Sequence, residues 1–106
     1  EENDSAVVKL LPFGRLVSFA GKQVVIVDGN IYKPESAMPR LHADYVILSG
    51  NANVRLQTLE EVIDFKELVF DSSNKPKQVA KWKDECRKMQ LTCYDVSKQG
   101  AFIRNL

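Results

Sequence analysis

Residues 66–89 read KELVFDSSNKPKQVAKWKDECRKM. The stretch opens with the apolar run Leu68-Val69-Phe70, too short for a helix and continuous enough for a strand buried on both faces. A polar run, Asp71-Ser72-Ser73-Asn74, breaks it. Pro76 then suits a first helical turn, because its missing N–H would have no intrahelical partner there. Val79, Trp82, Cys86 and Met89 follow at helical spacing, with lysines filling the opposite side. The stretch therefore reads strand, turn, amphipathic helix, which is the repeating unit of an α/β sheet.

The same grammar extends outward. Upstream, DYVILS (44–49) is a continuous apolar strand, and LQTLEEVI (56–63) places Leu56, Leu59, Val62 and Ile63 on one helical stripe. Downstream, LTCYDV (91–96) and AFIRNL (101–106) read as strands around a turn at Lys98-Gln99-Gly100. Before residue 31 the pattern differs. AVVKLL (6–11), RLVSFA (15–20) and KQVVIV (22–27) are short strands, the last two joined tightly at Gly21-Lys22, where glycine in the first position suits a type II′ hairpin. Asp28-Gly29-Asn30 is a second turn signal. Residues 31–44, with Pro34 and Pro39 and no period, read as a loop, and residues 1–5 as a flexible acidic terminus.

The expected fold class is α/β: a mixed sheet of six to seven strands, an N-terminal antiparallel hairpin followed by a β-α-β-α-β unit, and two main helices in one domain over residues 6–106. Right-handed crossovers between sequential strands place both helices on one face. The strands VVIV, YVIL and LVF are apolar at consecutive positions and call for cover on both faces. The second face is thus expected to meet the 31–44 loop, a second copy of the chain or the remainder of a parent protein.

Composition narrows the function classes. The chain has 106 residues, 44% hydrophobic and 27% charged, with net charge +1, so bulk charge favours neither nucleic acid nor a membrane surface. No apolar run approaches the ~20 residues of a bilayer span. The sequence opens on Glu1 rather than Met, which reads as a processed protein or a piece of a larger one. A single histidine, His42, rules out a multi-histidine metal centre by counting and leaves no Ser-His-Asp set; a surface or hinge position fits it. No catalytic residue, cofactor site or metal ligand set is assigned. Cys86 and Cys93, seven apart, fit neither a thioredoxin pair nor a zinc site; they read as two buried thiols or as a disulfide in an exported chain.

Three features merit weighing. Ser73 or Asn74 could cap the helix, or the helix start could hold an anion, though without a glycine-rich cradle. Lys75, Lys77, Lys81, Lys83, Arg87 and Lys88 outnumber Asp84 and Glu85 on the same helix, either as a solvated surface or as a nucleic-acid contact. Ser49, Gly50, Asn51 and Asn53 form a polar loop at the end of a buried strand, the usual place for α/β chemistry. They bring no carboxylate for a metal, and Gly50 with an asparagine at positive φ would make a simple turn.

DYVILSGN (44–51), FDSSN (70–74), the helix of Trp82 and Cys86, and QGAF (99–102) together resemble the C-terminal soluble region of ComEC-family competence proteins of Bacteroides-type bacteria, over residues 15–106. That region of the family commonly looks like a metallo-β-lactamase domain, an αββα sandwich in which a histidine-rich loop after a buried strand binds two metals. Here the matching strand is 45–48 and the loop 49–54 holds no histidine or aspartate. The resemblance implies a degenerate, metal-free and shortened relative, part of such a sandwich. It further implies a non-catalytic soluble appendage of an inner-membrane channel importing single-stranded DNA, on the periplasmic face, where a Cys86–Cys93 disulfide gains weight. The competing readings are a metal-dependent phosphodiesterase or nuclease completed outside this chain, and a generic α/β interaction module.

Overall fold

The computed structural model describes residues 7–31 and 39–99. Six strands form one sheet in sequential order: β1 (Val7–Leu11), β2 (Gly14–Phe19), β3 (Lys22–Val27), β4 (Leu41–Leu48), β5 (Ile63–Phe70) and β6 (Cys93–Asp95). The pairs β1–β2 and β2–β3 are antiparallel, and β3–β4, β4–β5 and β5–β6 are parallel. Helix α1 (Leu56–Val62) links β4 to β5, α2 (Pro76–Met89) links β5 to β6, and a single turn, α3 (Val96–Gln99), follows. This is the expected mixed α/β architecture.

Register sorts the strand residues onto two faces. Leu16, Val25, Val46, Leu68 and Cys93 lie in one row across the sheet, and Val27, Leu48, Phe70 and Asp95 in the next. On this face Leu56, Leu59, Val79, Trp82 and Cys86 of the two helices complete the core, and Val25, Val27, Val46, Leu48, Leu68 and Phe70 reach zero exposure. The opposite face carries the rows Val8, Val17, Val24, Tyr45 and Leu10, Arg15, Ile26, Ile47, Val69, Tyr94. Most of its apolar members stay half-buried, and at the β1 edge Val8 is 55% and Leu10 79% exposed. So the second face is largely apolar, interrupted by Arg15 and by Glu67 beside Tyr45, and thinly covered.

Several boundaries differ from the sequence reading. Residues 41–43 belong to β4 rather than to a loop, because parallel pairing of Leu41, His42 and Ala43 with β5 satisfies their backbone where no local period announced a strand. β6 spans only three residues, and Val96, Ser97 and Lys98 turn into α3. Asp95 directs that change by accepting from the Ser97 N–H (3.1 Å) and hydroxyl (2.8 Å). The strand expected at 101–106, the terminus 1–5 and most of the proline-bearing loop lie outside the described residues.

The β2–β3 hairpin also differs. Phe19 pairs with Lys22, so the loop residues are Ala20 and Gly21, not Gly21 and Lys22. Both have positive φ, 52° and 77°, which makes the turn type I′ rather than II′. The strand twist favours that hand, and alanine meets it at a steric cost that asparagine or glycine does not bear. Replacing Ala20→Asn is expected to raise stability by about 0.5–1 kcal/mol, read as a higher denaturation midpoint in urea. At the other end of β2, Gly14 is required by close approach, since a Cβ there would stand 1.8 Å from the Ile26 carbonyl oxygen.

Candidate functional site

The parallel strands β4 and β5 deliver residues 49–55 and 71–75 side by side at their carboxyl ends, where open α/β sheets keep their ligands. The first loop turns at once: the Ala52 N–H donates to the Ser49 carbonyl (3.2 Å), with Gly50 and Asn51 at φ 64° and 57°. Ala52 and Val54 then point into the core, while Asn51 and Asn53 are exposed. In the second loop Asp71 accepts from the Ser73 N–H (3.0 Å) and hydroxyl, holding a tight polar turn.

The two loops grip each other through side-chain amides. The Asn51 N–H donates to Asn74 Oδ1 (2.8 Å), and the Lys75 N–H donates to Asn51 Oδ1 (3.1 Å). Asn74 Nδ2 donates to the Leu48 carbonyl (2.7 Å) and the Asp71 carbonyl (3.0 Å). The Gly50 N–H donates to Ser73 Oγ (2.7 Å), which also lies 3.2 Å from Ser49 Oγ. Asn74 is 9% exposed, and its amide satisfies the buried Leu48 carbonyl, which would otherwise cost about 1–3 kcal/mol. Polar groups that position alone would nominate for chemistry are thus turned on one another. The arrangement is a clasp closing the sheet's carboxyl edge.

That clasp replaces the expected cap. The residue before α2 is Lys75, in extended conformation and with no side-chain cap bond, and Pro76 opens the helix. Ser73 and Asn74 are spent on the neighbouring loop instead. Linear sequence makes Ser73 or Asn74 a cap because capping is the local use of such side chains; besides Asp71 three residues back, Asn74 bonds partners 23 and 26 residues away.

The basic run divides in the same way. Lys83 Nζ sits 2.7 Å from Asp95, whose side chain is 2% exposed. Burial alone would push the Asp95 carboxyl up, but the Lys83 ammonium and the Ser97 donors outweigh it and leave it below its ordinary value of 3.8. Arg87 and Lys88 both pair with Asp84, Lys88 at 3.1 Å. Lys75, Lys77 and Lys81 are exposed, and no carboxylate of the described residues pairs with them. Lys81 and Lys88 also line a shallow groove of about 320 Å³ with Arg55, Gln57, Glu85 and Met89. Glu85 is engaged there, accepting from the Leu56 N–H at 3.0 Å. Arg55 is the contributor that sequence reading missed, because it sits in the first loop and only the packing of α1 against α2 brings it to this face.

The remaining candidates fall elsewhere. His42 is exposed on β4, with Nδ1 3.2 Å from Asp64, at the opposite end of the strands from the clasp. Cys86 is buried under α2 and Cys93 is half-buried at the start of β6 on the same face of the sheet. Among the described residues no three His, Cys, Asp or Glu side chains come together as a metal set, and no helix is long and apolar enough to cross a membrane.

Fold and loops together define a mixed α/β domain with a helix-covered face, a thinly covered and largely apolar face, and a sealed carboxyl edge followed by a helix whose exposed Lys77 and Lys81 have no carboxylate partner among the described residues. Residues 2–106 match the family model of the ComEC C-terminal domain, and the chain belongs to that family. Membership ties it to competence and DNA uptake. No curated protein and no solved structure matches the chain.

Proposed function

We propose that this chain is a non-catalytic accessory domain of a DNA-uptake membrane protein, and that it touches single-stranded DNA weakly through α2. The observation that carries the reading is the split of the basic run. Among the described residues Lys75, Lys77, Lys81 and Arg55 are exposed with no carboxylate partner, whereas Lys83 is committed to Asp95 and Arg87 and Lys88 to Asp84. A row of unpaired cations beside a shallow groove suits a phosphate backbone without reading its bases. The non-catalytic part rests on the clasp, whose serine, aspartate and asparagine groups serve as each other's hydrogen-bond partners. A degenerate metallo-β-lactamase-like ancestry of Bacteroides type is part of the proposal. Its supports are the polar loop after a buried strand and a sheet with helices packed on one face, as in half of a sandwich. The second face then seats the remainder of the parent protein, with the domain on the periplasmic side of the inner membrane.

Fluorescence anisotropy with a labelled single strand tests the contact. Joint reversal at Lys77→Glu and Lys81→Glu is expected to weaken binding by about tenfold or more at low salt and to flatten its salt dependence by roughly one to two units of slope. Lys66→Gln, at the opposite end of the sheet and paired with Asp44, should leave binding unchanged. Equal affinity in all three proteins would remove the α2 face from consideration. Strand cleavage in the presence of manganese or zinc would overturn the non-catalytic reading.

A further inference from the structure

We propose that Cys86 and Cys93 are a disulfide site that staples the last turn of α2 to β6. The placement is set by the fold. Cys93 pairs with Leu68 and so shares the helix-covered face of the sheet with Leu68 and Phe70. Cys86 projects from α2 onto that face and is 2% exposed. The chain between them returns tightly: Gln90 takes the left-handed conformation at the helix end, and the Leu91 N–H donates to the Cys86 carbonyl at 2.9 Å. Cys86 belongs to the buried cluster on that face, and Cys93 packs against the same cluster. A disulfide needs neighbouring Cα atoms and converging Cβ atoms, and a helix end folded back on the adjacent strand brings the two residues to one face of the sheet.

The two sulfurs are unequal in access, and this orders the chemistry. The Cys93 thiol is half-buried and deprotonates to attack a sulfur of an external disulfide, releasing one thiol of that oxidant and leaving a mixed disulfide on Cys93. The Cys86 thiol then loses its proton and displaces the second thiol, forming the Cys86–Cys93 bond. In total, two protein thiols are oxidised and one external disulfide is reduced to two thiols. Burial, with the carboxylates of Glu85 and Glu60 behind it, pushes the Cys86 thiol up even once Cys93 is capped, so the second step is the slow one at neutral pH and quickens as pH rises.

Exposure of the reduced chain to glutathione disulfide, followed by intact-mass measurement and non-reducing electrophoresis, tests the site. The expected course is a transient single glutathione adduct, then a monomer lighter by two hydrogens whose melting temperature is higher by about 5–10 °C and falls back on reduction. Cys86→Ser should halt at the adduct on Cys93, and Cys93→Ser should resist modification while folded. Stable adducts on both cysteines, disulfide-linked dimers as the main product, or intramolecular oxidation only in denaturant would each overturn the proposal. The wild-type mass alone decides it should either serine variant fail to fold.

Discussion

Trp82→Ala is expected to cost about 4 kcal/mol, a large part of the stability of a domain this size. Trp82 has zero exposure and is the largest fully buried side chain. Its ring stacks on Phe70 of β5 with centroids 5.5 Å apart, and its indole N–H donates to the Val54 carbonyl at 2.9 Å. One side chain therefore ties α2 to the sheet and to the loop after β4. Truncation leaves a cavity between layers and strips Val54 of its donor. Trp82→Phe separates the two losses: it keeps a ring against Phe70 and gives up only the N–H, so about 1.5–2.5 kcal/mol is expected. Urea unfolding of both variants reads the order. If the phenylalanine variant matches the wild type, the Val54 bond contributes nothing and the loop is held by the amide clasp alone.

The second large effect is electrostatic and carries a pH signature. Lys83→Met is expected to lower stability at pH 7 by about 2–3 kcal/mol. This is less than a fully buried pair would lose, because Lys83 is 37% exposed and water screens part of the interaction. In the wild type the folded Asp95 lies below its ordinary value of 3.8, so its contribution is fully present above that pH and is lost as pH falls through the lower folded value. In the variant, burial loses the Lys83 ammonium that chiefly opposes it, and Asp95 moves upward; ionising it then destabilises the fold as pH rises. The gap between the two proteins should be widest near neutral pH and narrow below about pH 4. A gap independent of pH would assign the loss to packing of the lysine stem instead.

These two residues also show how far linear sequence reaches. The helical stripe Val79, Trp82, Cys86 set the boundaries of α2 correctly because helix formation and burial share one local period. The consecutive apolar strands announced a two-face sheet, and the register has the expected second apolar face. The hairpin turn was misplaced by one residue. Glycine suits either turn position, and only the Phe19–Lys22 pairing decides which one it occupies. The start of β4 was missed because Leu41, His42 and Ala43 have no period of their own and become a strand by parallel pairing with β5.

At the candidate site the division is sharper. The sequence by itself determined the inventory: a glycine-asparagine turn after a buried strand, a polar run before a helix, six basic residues on and before α2, and two cysteines near its end. Tertiary structure decided what each one does. It turned Asn74 from a cap into the latch on Leu48, took Lys83 out of the basic face and added Arg55 to it, and put Cys93 on the sheet face that Cys86 covers. The physical reason is range. Helical and strand periods are written within a few residues, whereas the Asn74–Leu48 and Trp82–Val54 bonds span 26 and 28 residues. Such partners meet only after the crossover through α1 has brought the ends of β4 and β5 side by side.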